Sequence, residues 1–173
     1  MIGWRRVTSD YKYRLSNPTR DRAGFTILDI DHYAPFLLNA VANAWQRQTS
    51  AIYRSRFDLG IVDWRVIAML NIEPEITANR ICEVIRLDKA AVSRSLKLLE
   101  ERGLVGFEAS ATDARKRRWW LTDAGQKAHA DFLDVALNCE AQMLADVPFE
   151  DLEVFLKTMK HMLANLDRTT LGE

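Results

Sequence analysis

The sequence predicts a mainly α-helical fold with one small β-hairpin, and three observations predict it. Apolar residues recur at spacings of three and four over most of the chain. Residues that cap helices bracket those periodic runs. Between 104 and 121 the pattern changes to two strand-like runs around a small polar stretch. The 173 residues and 48% apolar content fit one packed domain, with or without extra helices.

Residues 1–28 contain Asn17-Pro18, Gly24 and scattered charges without a sustained period, which predicts an irregular arm or short turns. From Asp31 a long helix is expected to run to about Phe57, with Pro35 tolerated in its first turn and Leu37, Leu38, Val41, Ala44, Trp45 and Ile52 as its apolar positions. Gly60 is a suitable cap for a second helix, IVDWRVIAML, in which Ile61, Trp64, Ile67 and Ala68 recur at helical spacing. Glu73-Pro74-Glu75 ends it. Thr77 then caps a short third helix with Ile81, Cys82, Val84 and Ile85 on its apolar face, and Asp88 caps a fourth, KAAVSRSLKLLEER, that stops at Gly103. Two short helices separated by a few residues form a helix-turn-helix candidate. LVGFEA and RKRRWWL follow as the arms of the hairpin, with the turn at Ser110–Ala114. Thr122 caps a long helix through Leu144, Val147-Pro148 breaks the chain, and a last helix carries Leu152, Phe155, Leu156, Met159, Met162, Leu163 and Leu166 at helical spacing. That stripe is more apolar surface than a peripheral helix exposes safely, and a homodimer would bury it.

The formal net charge is zero, but it is segregated. Residues 1–22 hold six Lys/Arg against two Asp/Glu, and 86–118 hold nine against five. Residues 23–85 hold five against seven, and 119–173 hold four against ten. The neutral total argues against loose, purely electrostatic coating of nucleic acid, and the segregation permits a local basic face on an otherwise acidic body. Four consecutive cations, Arg115, Lys116, Arg117 and Arg118, run directly into Trp119 and Trp120.

On the fourth helix, ~100° steps place Val92, Leu96 and Leu99 in one buried sector and Ala90, Ser93, Arg94 and Lys97 outward. Small residues beside long cations suit a major groove: the backbone approaches closely while Arg or Lys reaches guanine edges or phosphate. Lys89 lies in the first turn, where free N–H groups can also donate to a phosphate. Arginines at a hairpin tip beside such a helix can enter the adjacent minor groove. Asp113 is placed to hold Arg115 extended by a charge-assisted hydrogen bond. Alternation puts Arg115, Arg117, Trp119 and Leu121 on one side of the strand, with the last two turned inward, and Lys116, Arg118 and Trp120 on the other.

These residues carry a resemblance. TANRICEVIRLDKAAVSRSLKLLEERGLV followed by DARKRRWWLTDAG resembles the winged-helix DNA-binding region of the MarR family of bacterial transcription regulators. In that family the wing carries Asp-x-Arg, five intervening residues and Leu-Thr, which Asp113, Arg115, Leu121 and Thr122 match. The resemblance covers about 31–168 and leaves the arm outside. It implies an arm at 1–28 and a domain at 29–173, with the DNA-binding lobe at 59–121 and dimerisation helices at 29–58 and 122–173. It also implies a homodimer whose recognition helices read two half-sites of a pseudo-palindromic operator, with Arg115 in the minor groove. The DNA-binding set is then Lys89, Ala90, Ser93, Arg94, Lys97, Asp113, Arg115, Lys116 and Arg117. Two departures stand out: Gly60 replaces the family's usual threonine cap, and Arg117 and Arg118 occupy strand positions often apolar or mixed in the family. One of those arginines contacts phosphate or turns inward toward a ligand.

Many proteins of the family resemble one another in being repressors released by a small phenolic or carboxylate molecule. The matching crevice would draw on His32, Phe36, Trp64 and Arg65, with Arg22 of the arm pairing a carboxylate, which suits a flat aromatic acid. The sequence also resembles, more weakly, the family's regulators of aromatic catabolism. A thiol switch is the rival control. The family's peroxide sensors carry a cysteine near the start of the first long helix, whereas here Cys82 lies on an apolar helix face and Cys139 far from it.

Enzymatic chemistry finds no support: GxSxG, a phosphate loop and HExxH are absent, and His32, His129 and His161 lie in different segments, with His129 expected to be solvated. Neither cofactor nor metal is expected. A winged-helix protein-interaction module without DNA binding is the alternative class, since fold alone does not fix function. No run reaches the ~18 apolar residues of a membrane span and the N-terminus is charged, so a cytoplasmic protein is expected.

Overall fold

The computed structural model describes residues 17–110 and 113–170, with side chains at 110, 113–116 and 169–170 outside the description. The elements are β1 (Thr19–Arg22), β2 (Phe25–Leu28), α1 (Ala34–Phe57), α2 (Ile61–Ile72), β3 (Ile76–Thr77), α3 (Ala78–Ile85), α4 (Lys89–Glu101), β4 (Val105–Ser110), β5 (Asp113–Leu121), α5 (Asp123–Met143) and α6 (Phe149–Thr170). The chain divides into two compact units, one running to His129 and the other Ala130–Glu173, with the division inside α5.

The described part of the arm corrects the expectation of irregular turns. Residues 19–28 form an antiparallel hairpin in which Arg22 pairs with Phe25 across a two-residue loop. Ala23 and Gly24 both take the left-handed region (φ 53° and 84°), the conformation a two-residue hairpin turn requires, and Gly24 N–H donates to Asp21 Oδ1 at 3.2 Å. Residues 1–16 lie outside the described residues.

The first long helix starts at Ala34 rather than Asp31, because the preceding backbone is spent on turns: His32 N–H donates to the Asp29 carbonyl and Tyr33 N–H to that of Ile30. Pro35 sits in the first turn, where its missing N–H costs no helical bond. The helix ends at Asp58, which is left-handed (φ 53°) with its N–H on the Arg54 carbonyl.

The first unit has its core along α2, whose Val66, Ile67, Met69 and Leu70 are buried. Gly60 begins α2, and Asp63 Oδ2 reaches back to accept the Gly60 N–H at 2.7 Å. Thr77 Oγ1 accepts the Arg80 N–H (3.3 Å) and Asp88 Oδ1 the Ala91 N–H (2.9 Å), so both expected caps of the helix-turn-helix are present. The turn between α3 and α4 holds Arg86, left-handed at φ 56°, Leu87 and Asp88. At the far end of α4, Gly103 N–H donates to the Glu100 carbonyl and Leu104 N–H to that of Leu99, the paired bonds of a Schellman cap, with Gly103 at φ 68°. Val92, Leu96 and Leu99 are fully or nearly buried, as their spacing predicted, and Ile81 of α3 is packed into the same core.

The hairpin is longer and tighter than expected. β4 and β5 run to Ser110 and from Asp113, with a register irregularity between Ala109 and Ser110. Phe107 lies opposite Trp119 and Val105 opposite Leu121; Trp119 and Leu121 are buried, in accord with the alternation. The sheet has a third strand that the sequence pattern did not reveal: β3 pairs Ile76 with Trp119 and Thr77 with Arg118, giving the order β3-β5-β4. At the wing root Thr122 Oγ1 donates to the Gly103 carbonyl (2.7 Å) and accepts the Gly125 N–H (3.1 Å), while Thr122 N–H donates to the Leu104 carbonyl.

In the second unit Phe132, Val135 and Cys139 of α5 are buried. Its connection to α6 turns at Asp146 (φ 62°), and Leu152 N–H donates to the Pro148 carbonyl to start the last helix. Phe155, Leu156, Leu163 and Leu166 of α6 stay about half exposed or more in the single chain. Among the described residues no helix is long and apolar enough to cross a membrane.

Candidate nucleic-acid interface

α4 presents Lys89, Ala90, Ser93, Arg94 and Lys97 to solvent. This follows from its buried sector: once Val92, Leu96 and Leu99 pack inward, the opposite face has to be open. Lys97 Nζ lies 3.8 Å from Glu101 Oε1, an exposed i,i+4 pair that holds the ammonium weakly and leaves it free to exchange partners.

A groove of about 730 Å³ runs between this face and the hairpin. Ser93, Leu96, Lys97 and Glu100 line it from α4, Thr77, Ala78 and Asn79 from the start of α3, and Arg117 and Trp119 from β5. The Arg117 guanidinium carbon sits 4.0 Å from the Phe107 ring centroid and 5.8 Å from that of Trp119, and the two rings are themselves 4.9 Å apart. A cation over aromatic faces is attracted by their quadrupoles and loses rotamer freedom in advance. Arg117 is thus pre-set along the groove wall, though exposed, and Arg118 on the other face of the strand is exposed as well. Lys116, Asp113 and Arg115 occupy β5 by backbone position, and the proposed Asp113–Arg115 hydrogen bond falls on side chains outside the described residues.

Sequence reasoning passed over Phe107, Asp63, Ser95 and Arg102. Phe107 was traceable as the residue opposite Trp119 once the strands were aligned. Asp63 was traceable as the acid three residues after the Gly60 cap. Ser95 is buried and donates to Asp63 Oδ1 at 2.6 Å, a contact across 32 residues that no local spacing signals. Arg102 donates to Asp58 Oδ2 (2.6 Å) and to the Phe57 carbonyl (3.3 Å).

The five residues expected around an effector are placed less coherently. Arg22 and Phe36 are exposed, on β1 and in the first turn of α1. His32 is half-buried, with Nδ1 3.1 Å from Asp29 Oδ2, and Asp29 itself is buried. Trp64 is half-buried and stacks on His129 (centroids 5.5 Å, 28° between planes), and Arg65 follows it on α2. Neither this groove nor a shallow polar one along α1 is lined by any of the five. The stack corrects the expectation for His129: the ring is part-buried rather than freely solvated, and burial lowers its pKa below the usual histidine value. Both cysteines are free, Cys82 half-buried and Cys139 buried. Among the described residues no group of three or more His, Cys, Asp or Glu is placed to hold a metal ion.

Fold and site define a winged helix-turn-helix protein with a groove between α4 and the wing that Lys97, Arg117 and Glu100 line. Residues 57–116 match the sequence model of the MarR family. The transcriptional regulator HosA of Escherichia coli O127:H6 is 27% identical over 119 residues, 69% of this chain and 88% of that protein. The crystal structure of a MarR/EmrR family transcriptional regulator from Acinetobacter sp. ADP1 superposes with a TM-score of 0.75 at 28% identity, covering 82% of this chain and 99% of that one. The crystal structure of the S. aureus MepR–DNA complex superposes at 0.68 and 19% identity over 79% of this chain and 98% of that one, a likeness of fold. Over its winged-helix region the chain is thus similar to transcriptional regulators of the MarR family.

Proposed function

We propose that the chain is a homodimeric, sequence-specific reader of double-stranded DNA that represses transcription and is released by a small aromatic carboxylate. The observation that carries the DNA reading is the pairing of the solvent-facing Lys89, Ala90, Ser93, Arg94 and Lys97 of α4 with the pre-set Arg117 of the wing, Ser93, Lys97 and Arg117 lining one groove. The MepR structure, a DNA complex of the same fold, supports this geometry. In this reading Lys89, Ala90, Ser93, Arg94 and Lys97 face the major groove, Lys116 and Arg117 meet phosphate, and Arg115, oriented by Asp113, enters the minor groove. The half-exposed apolar stripe of α6 supports the homodimer.

The effector reading has a more local basis. Trp64 and His129 already form a half-buried stacked pair that suits a flat ring, and in this reading Arg65, the next residue of α2, and Arg22 of the arm supply cations for a carboxylate. His32 and Phe36 complete the proposed set.

Selection of bound duplexes from a random pool tests the function, followed by addition of aromatic acids to the enriched complex. A pseudo-palindrome with half-sites about one helical turn apart is expected, together with release by one acid. No enrichment would move the assignment to a protein-interaction module. On the enriched duplex, Arg94→Ala is expected to cost ~1–3 kcal/mol and relax one base position. Equal losses on selected and random duplexes would make Arg94 a phosphate contact instead.

A further inference from the structure

We propose that the junction between α1 and α2, residues 57–63, is a two-point clamp that sets the position of α4, with Ser95 and Arg102 as its positioning residues. The proposal rests on the reading of α4 as the DNA-facing helix.

The first hold is Ser95 Oγ on Asp63 Oδ1 at 2.6 Å. Both residues are buried, at 3% and 8% exposure, and the other oxygen of Asp63 takes the Gly60 N–H at 2.7 Å. A carboxyl group held at both oxygens cannot swing, so Ser95 is tied to a fixed point. Ser95 lies two residues from both Ser93 and Lys97, about 200° around the helix, and so stands roughly behind the outward face.

The second hold is Arg102, at the C-cap of α4, on Asp58 Oδ2 (2.6 Å) and the Phe57 carbonyl (3.3 Å). It lies seven residues beyond Ser95, about 10 Å along the axis. The buried hold fixes a point; the second, whose Asp58 carboxylate is 87% exposed, is weaker as an ion pair and restrains the tilt of α4 together with the Phe57 carbonyl bond. Between their partners, Leu59 is buried at 4% exposure, which seats the junction in the core.

Apolar packing cannot do this alone. Val92, Leu96 and Leu99 press α4 inward, but apolar contact is non-directional and tolerates small rotations. Hydrogen bonds are lost on such a rotation because they depend on angle as well as distance. Phe57 is the last residue of the 24-residue α1, so a shift of that helix reaches α4 through the clamp.

The test uses the whole chain and two duplexes, the one enriched from the random pool and a scrambled one of equal length. Ser95→Ala and Arg102→Ala are each expected to narrow the ratio of the two dissociation constants by roughly tenfold. Affinity for the scrambled duplex and the salt slope should stay as in the unsubstituted chain, since every proposed DNA-contacting cation is still present. Thermal unfolding identifies the folded variants. Arg102 is at the protein surface, so Arg102→Ala keeps the test open should Ser95→Ala fail to fold. An unchanged ratio in a folded variant, or equal loss on both duplexes, overturns the clamp. Failure of the unsubstituted chain to enrich any duplex instead overturns the DNA reading on which the clamp rests.

Discussion

Gly125 has no room for a side chain. A Cβ built there would lie 1.9 Å from the Leu104 carbonyl oxygen, a backbone atom that cannot rotate away. The closeness arises because Thr122 is tied to Gly103 and Leu104 by two hydrogen bonds and takes the Gly125 N–H with a third. Gly125→Ala is therefore expected to destabilise the protein by about 3 kcal/mol in denaturant titration, at the upper end of ordinary overpacking. His129 offers a second test at this scale. Its pKa is lowered by burial against its ordinary value, so the folded state resists the proton that the unfolded chain accepts. Its stabilising contribution is complete above about pH 6.5 and is lost as the pH falls below that toward the lower folded value. The denaturation midpoint should fall with pH less steeply in His129→Gln than in the unsubstituted chain; identical slopes would show that the ring gains its proton freely.

At the scale of elements, legibility tracked the range of the interaction. The helix-turn-helix could be read because caps and apolar periods are local: Thr77, Asp88 and Gly103 announce ends within a turn, and Val92, Leu96 and Leu99 announce a face. Asp88→Ala removes the acceptor for the Ala91 N–H and is expected to cost ~1 kcal/mol of stability. Chemical denaturation would measure it, and a null result would mean that solvent satisfies that N–H as well. β3 was not legible because two residues cannot display a period, and it exists only through its pairing with Arg118 and Trp119. The arm's hairpin was missed for another reason. Its turn signal, Ala23-Gly24, stood among charges at Arg20, Asp21 and Arg22 that masked the alternation of a short exposed ribbon. For the candidate site, the outward face of α4 was visible in the sequence, whereas the platform under Arg117 needed the strand register and the Asp63–Ser95 bond needed the tertiary fold.

At the scale of the whole molecule, the apolar stripe of α6 sets the strongest expectation. Leu156 and Leu163 are about half exposed, seven residues apart on one face. A charge at either position is tolerated by water in a single chain but opposed in an apolar interface. Leu163→Glu is thus expected to give a folded monomer by sedimentation that binds the full pseudo-palindrome far more weakly than the dimer, because each half-site must then be captured independently. A dimer of unchanged stability would place the interface elsewhere.

Thr77 belongs to two structures at once. It is the last residue of β3, paired with Arg118 at the foot of the wing, and the cap whose hydroxyl holds the first turn of α3. A wing joined to its domain by a plain loop would flap without consequence for the helices. Here the strand pairing and the helix cap meet at one residue, the backbone of Thr77 lying opposite Arg118 and its hydroxyl accepting the Arg80 N–H. The foot of the wing and the start of α3 thus share one residue as their joint, so a substitution at Thr77 is felt by both.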